Sequence, residues 1–188
     1  MHNLPDAELI ELINCRNTKA LQELYSRFNI GVYNFVLRYT NNREIAEDVL
    51  QETFTRIWFA SHTFNSKKGS VKNWIFTIGL NITRNEMTLK RYAYQYIDID
   101  EVKLDDDDFS ESSIDAPYEI LEDIETKDKI NKAIERLSPY LKEIILLKHF
   151  QELKFKEIAE MTNTPEGTLK ARFHNALKML KKILKEEK

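Results

Sequence analysis

A chain of 188 residues with 42% hydrophobic content is large enough for two small domains or one of medium size. Four glycines and four prolines leave few breaks in a sequence rich in Leu, Ile, Lys and Glu, which points to an all-α fold. The single cysteine, Cys15, excludes an internal disulfide and a thiolate-rich zinc site, and the formal net charge of −3 conceals a strong asymmetry along the chain.

Residues 1–97 carry 12 Lys and Arg against 9 Asp and Glu, residues 98–128 carry 2 against 14, and residues 129–188 carry 14 against 8. Two small, mildly basic helical domains, 1–97 and 129–188, are therefore expected on either side of an acidic flexible linker at 98–128. No N-terminal signal-peptide pattern and no bilayer-length apolar run are present. The expectation is a soluble, cytoplasmic protein with no membrane insertion.

In chain order, a first helix capped near Asp6 carries Leu9, Ile10, Leu12 and Ile13. Leu21, Leu24, Tyr25 and Phe28 make a second apolar stripe, which Val32, Phe35 and Val36 continue. The segment from Glu44 to Trp58 buries Ala46, Val49, Leu50, Phe54 and Ile57 at helical spacing. The same geometry turns Asp48, Gln51, Glu52 and Thr55 outward as one acidic and polar strip. An ordinary solvated helix face is the plainer reading of that strip. A polar loop, His62 to Ser70, leads to a helix with Trp74, Ile75, Ile78 and Ile82 on its apolar side. Lys72, Asn73, Asn81, Arg84 and Asn85 lie along its polar side.

The connector contains Asp105 to Asp108, Ser110, Glu111, Ser112, Ser113 and Pro117. Self-repulsion and few apolar groups predict an extended tether, reaching roughly 100 Å at most if fully drawn out. Beyond it, an apolar helix spans Ile144 to Phe150, and a short amphipathic helix spans Leu153 to Met161. A polar turn follows, with Thr164 as a helix cap and Pro165 in the next first turn. On the final helix Leu169, Phe173, Ala176, Leu177 and Leu180 share a face, and Ala171, His174, Asn175 and Lys178 lie opposite with Lys170 beside them. That layout suits a helix-turn-helix, in which an apolar side packs on its own domain and an outer side reaches base edges. A solvated surface helix is the competing reading.

The run Ala46 to Phe54 followed by Trp58, together with Trp74 to Asn81, resembles region 2 of a bacterial RNA polymerase sigma factor. Leu137-Ser138-Pro139, the Ile144 to Leu147 helix and the helix-turn-helix resemble region 4. With only these two regions, in this order and separated by an acidic tether, the chain resembles the extracytoplasmic-function (ECF) class. The likeness covers roughly residues 20–91 and 129–184.

The resemblance implies a division of labour. The strip Asp48, Gln51, Glu52 and Thr55 would dock on the clamp helices of the largest subunit of core RNA polymerase, where acidic groups suit a basic surface. The −10 reader would be Phe64, Asn65, Lys67 and Lys68 in the loop, with Lys72, Asn73, Asn81 and Arg84 behind it. Lys and Arg would hold phosphates, while Asn and Phe would contact a flipped base. Trp74 is read as core. The family's usual Asp and Arg near the end of this helix are replaced by Asn85 and Thr88. No phosphate-binding Gly-Lys-Ser/Thr loop is present, so strand opening would be driven by base capture that offsets unstacking.

On the last helix the family's −35 base-reading positions correspond to Lys170, Ala171, His174 and Asn175. Asn175 would suit adenine, Lys170 guanine and Ala171 a thymine methyl, whereas His174 suits a bystander equally well. Arg172, Lys178, Lys181 and Lys182 would contact phosphate. This domain would also pack on the flap of the second-largest polymerase subunit. The acidic linker reads either as a nucleic-acid mimic in the polymerase cleft or as a solubilising spacer.

The expected function is promoter-specific initiation with core polymerase and promoter DNA, under an anti-sigma factor. No catalysis, cofactor, metal or small-molecule substrate is expected, because His2, His62, His149, His174 and Cys15 form no ligand or nucleophile pattern. The alternative is a stand-alone dimeric helix-turn-helix regulator, which would bind a symmetric operator unaided. An adaptor without DNA binding is a third reading.

Overall fold

The computed structural model describes residues 2–93 and 124–186, all of whose regular elements are helical. The N-terminal domain holds α1 (Asp6–Asn14), α2 (Thr18–Thr40), α3 (Arg43–Ala60) and α4 (Val71–Ala93), with 3₁₀ turns at Ser61–Thr63 and Ser66–Lys68 before α4. The C-terminal domain holds α5 (Ile124–Glu135), α6 (Pro139–Ile145), α7 (Phe155–Thr162) and α8 (Glu166–Glu186). The expected linker lies outside the described residues up to position 123, and its last five positions, Ile124 to Asp128, belong to α5.

Side-chain chemistry sets several of the helix ends. Asn17 caps α2 by accepting from the backbone N–H groups of Lys19 and Ala20, and Asn42 caps α3 by accepting from Ile45. Asn41 and Asn163 close α2 and α7 in the left-handed region, at φ 50° and 51°, where asparagine is tolerated better than most residues. Pro5, not Asp6, occupies the cap position of α1. Asp6 instead accepts from Arg27 at 2.6 Å, and Arg27 also reaches Glu23 and the carbonyls of His2 and Leu4. One guanidinium thereby ties the chain start to α2.

The core of the N-terminal domain is built from Leu9, Ile13, Leu24, Phe35, Val36, Ala46, Val49, Ile57, Ile75, Phe76 and Leu80. Phe76 meets the edge of Phe35 at a centroid distance of 5.8 Å. Truncating such a ring to alanine costs about 3–5 kcal/mol. Where α3 crosses α4, Gly79 faces the buried Thr53. A methyl built on Gly79 would stand 3.5 Å from Thr53 Oγ1 and 3.7 Å from a Val32 methyl. The two helices meet there almost backbone to side chain.

In the C-terminal domain Ile134, Ile144, Leu146, Leu147, Ile158, Leu169 and Ala176 form the core. Helix α6 runs on as a π-helical turn, Leu146–Phe150, in which the Gln151 N–H reaches back to the Leu146 carbonyl. Phe155 of α7 packs edge-on against Phe173 of α8, 5.7 Å between centroids, and fixes the angle between the two helices.

The two domains touch. Arg84 of α4 makes a two-pronged ion pair with Glu143 of α6, with Nε–Oε2 at 3.0 Å and Nη2–Oε1 at 2.6 Å. The Lys72 ammonium donates to the Gln151 carbonyl at 2.6 Å, and the Asn73 side-chain amide donates to Glu157 at 2.8 Å. Lys142 donates to the Tyr39 carbonyl at 3.4 Å, while the Arg38 guanidinium lies 4.4 Å over the Phe150 ring.

Candidate nucleic-acid interface

The sequence-predicted residues fall into three groups. On α3, Asp48, Gln51 and Thr55 are exposed and Glu52 is half-buried, so the strip faces outward on one helix. Glu52 is already paired with Arg56 one turn on, at 2.7 Å. The strip lines a shallow cleft together with Ile82, Asn85 and Glu86 of α4. Leu50 was expected in the core, but it is half-buried and lines an adjoining apolar groove with Leu21, Tyr25, Phe54, Trp58 and Phe59.

The second group surrounds the start of α4. Lys67 and Lys68 are exposed in the second 3₁₀ turn, which Asn65 caps by accepting from the Lys67 N–H at 3.0 Å. Gly69, at φ +146°, turns the chain into α4. Phe64 is half-buried against Trp74, 5.6 Å between ring centroids, and Trp74 packs on the core as expected from its stripe. Asn81 is exposed. Lys72, Asn73 and Arg84 are on the polar side of α4, but all three are held by the C-terminal domain through the bonds given above. Sequence reasoning missed the residues opposite them: Glu143, Gln151 and Glu157. Glu143 and Gln151 are buried, and a carboxylate set among Ile144, Ile145 and Leu146 was the one signal of an opposing cation.

The third group lies on α8. His174 and Lys178 are exposed, while Lys170, Ala171, Arg172 and Asn175 are half-buried. Lys170 is 3.5 Å from Glu166, and Arg172 lies 5.0 Å over the exposed Tyr140 ring. Leu169, Phe173, Ala176 and Ile183 are buried on the opposite side. The turn differs in one respect from the expectation. The Thr164 hydroxyl donates to the Thr162 carbonyl at 3.3 Å rather than capping α8. The Pro165 carbonyl receives the Leu169 N–H, so Pro165 stands just before the first helical residue, Glu166.

Electrostatics are perturbed mainly where the domains meet. Burial pushes the Glu157 carboxyl up, but the Lys154 N–H, the Asn73 amide and the charges of Lys154 and Lys72 outweigh it and hold the group below its ordinary value. For Arg84, burial opposes the charge and the Glu143 carboxylate more than restores it. Burial lowers Lys142, and the negative charge of Glu135 offsets part of that shift. Burial alone lowers Arg38. Among the described residues no cluster of three or more His, Cys, Asp or Glu side chains is placed to hold a metal ion.

A helix-turn-helix on one domain stands beside a four-helix domain with a polar loop and an outward acidic strip, an arrangement suited to a two-part DNA-binding protein. Residues 24–91 match the sigma-70 region 2 family, and residues 127–180 match sigma-70 region 4. The chain belongs to the sigma-70 family, as an ECF RNA polymerase sigma factor with regions 2 and 4. It is 26% identical over 163 residues to the ECF RNA polymerase sigma factor SigM of Bacillus subtilis (strain 168), covering 87% of this chain and 94% of the relative. It is likewise 26% identical over 179 residues to the ECF RNA polymerase sigma-E factor of Haemophilus influenzae (strain ATCC 51907), covering 94% of both chains.

Two solved structures share the fold. One is CnrH in complex with the cytosolic domain of CnrY (TM-score 0.70, 18% identity, 97% of this chain and 99% of the other). The other is the Bartonella quintana sigma factor RpoE in complex with the anti-sigma factor NepR (TM-score 0.67, 20% identity, 90% and 99%). As a sigma factor the chain serves promoter-specific transcription initiation, and a stand-alone dimeric regulator is not favoured.

Proposed function

We propose that the α3 strip Asp48, Gln51, Glu52 and Thr55 docks on the clamp helices of the largest polymerase subunit, and that the C-terminal domain rests on the flap of the second-largest. Helix α8 reads the −35 element with Lys170, Ala171, His174 and Asn175, and holds phosphates with Arg172 and Lys178. The loop residues Phe64, Asn65, Lys67 and Lys68, with Lys72, Asn73, Asn81 and Arg84, capture the opened −10 strand. Base capture drives opening, because unstacking costs only a few kcal/mol per base and an aromatic stack returns about 1–3 kcal/mol. An anti-sigma factor binds the protein and holds it inactive in the cytoplasm; the Bartonella quintana sigma factor RpoE has been solved in complex with the anti-sigma factor NepR.

The observation that carries this reading is the division of surfaces. The outward polar face of α8 and the outward strip of α3 lie on separate domains, each free of the core beneath it. Reconstitution tests it. Adding the pure protein to core polymerase should yield run-off transcripts from a subset of promoters with an asymmetric, two-part start site. Failure to bind core polymerase, combined with unaided binding to a palindromic duplex, would refute it.

A further inference from the structure

With the domains in contact, Lys72, Asn73 and Arg84 are each engaged by an oxygen of the other domain, which DNA would have to displace. The oxygens are of the kind that a nucleic acid offers. Glu143 presents two carboxylate oxygens to the Arg84 fork, as a phosphate would. Glu157 accepts from the Asn73 amide, as a base edge would, and the Gln151 carbonyl accepts from Lys72.

We propose that Glu143 and Glu157 form an intramolecular latch that imitates promoter DNA and closes region 4 over the −10 face while no polymerase is bound. The proposal rests on the −10 reading of α4 given above and adds its regulation. The latch covers one DNA-binding surface only. On α8, His174 and Lys178 remain exposed, and so do Asn65, Lys67 and Lys68 at the mouth of the −10 face. An entering strand can therefore touch the loop lysines first and displace the carboxylates afterwards.

The interface is suited to opening. Several of its ties are polar, as in reversible domain contacts, and they stand beside apolar packing that the two domains share. It also leaves the Arg38 Nε buried with no hydrogen-bond partner, beneath the Phe150 ring. Lys142 is held against the Tyr39 carbonyl in surroundings that disfavour its charge. Opening returns both groups to water and recovers that desolvation cost.

Three full-length proteins test the latch: wild type, Glu143→Gln with Glu157→Gln, and the charge swap Arg84→Glu with Glu143→Arg. Small-angle scattering reads the spacing of the domains, and anisotropy reads binding of a short fluorescein-labelled DNA of mixed sequence, single-stranded or duplex. The wild type and the swap should be compact, and the double Gln variant expanded. The Gln variant should bind single-stranded DNA about tenfold more tightly than wild type, the equivalent of about one charge-assisted hydrogen bond removed from the competition. Its duplex binding, through α8, should be unchanged. Compactness of the swap shows that the ion pair, and not some other feature of these side chains, closes the molecule.

Equal dimensions for wild type and Gln variant overturn the proposal, and so does expansion with no gain for single strands. A wild type that fails to bind core polymerase refutes the proposed function instead, and the scattering comparison still decides the latch.

Discussion

Reversing the charge of the α3 strip separates docking from folding, because the two penalties differ in size. In Asp48→Arg with Glu52→Arg, the fold loses one ion pair between Glu52 and Arg56, whose side chains are 45% and 48% exposed. A pair this exposed contributes about 0.3–0.5 kcal/mol, and the new like-charge neighbours one turn apart cost a similar amount. The total is about 1 kcal/mol or less, a fall in Tm of about 4–8 °C for a domain of this size. On a basic partner surface, the same reversal replaces attraction with repulsion at two positions, which costs several kcal/mol. About 3 kcal/mol corresponds to roughly a hundredfold loss of affinity. Titration of labelled protein with core polymerase, beside a thermal melt of the free protein, measures both. Unchanged affinity would refute the docking assignment. A collapse of Tm as large as the binding loss would refute the claim that these side chains are dispensable to the fold.

On α8, Lys170→Ala or Asn175→Ala should each relax specificity at one −35 base pair by about 1–3 kcal/mol, measured by competition between duplexes that differ at single positions. Lys178→Ala should instead weaken all duplexes alike and lower the slope of log affinity against log salt by about 1. Gly69→Ala places a side chain where φ is +146°, and should lower stability by about 1–3 kcal/mol in a denaturant titration while loosening the −10 loop. Acid should weaken the closed form through Glu157. Its folded pKa lies below the ordinary 4.5, so its contribution is complete above that value and is lost as pH falls through the folded pKa. His149 acts in the same direction from a higher starting point. Burial lowers it below 6.5 against the opposing charge of Glu152, so stability is lost as pH falls through that range. A pH series of urea melts measures both, and Glu157→Gln should remove the lower step.

Most helices of each domain were legible because they are amphipathic with short polar connections; α5 was not, because its first five residues read as the end of the acidic connector. Leu9, Ile13, Leu24, Phe35, Val49 and Ile57 are buried where periodicity put them, and so are Leu169, Phe173 and Ala176. The outward strips were legible for the same reason, since a helix that buries one face must expose the other. Cap chemistry was less so. Thr164 resembles a cap in sequence, yet its hydroxyl turns back to Thr162, because Pro165 sets the start of α8 one residue later. Beyond the Glu143 carboxylate set in an apolar run, nothing local marks the pairing of Arg84 with Glu143 or of Asn73 with Glu157. These partners lie 59 and 84 residues apart, and their meeting depends on how two separately folded units come together.

The close crossing of α3 and α4 at Gly79 bears on how a promoter is measured. Thr53 sits against Gly79 with space for little more than a methyl group, so the two helices cannot slide without a clash or a gap. On the proposed function, one of them carries the face that docks on the enzyme, and the other begins beside the loop that takes the melted strand. Region 2 would then work as a stiff caliper: once its outer jaw is seated, the inner jaw would stand at a fixed offset from the catalytic centre. A bulky side chain at position 79 would shift where transcripts begin before it reduced how many are made.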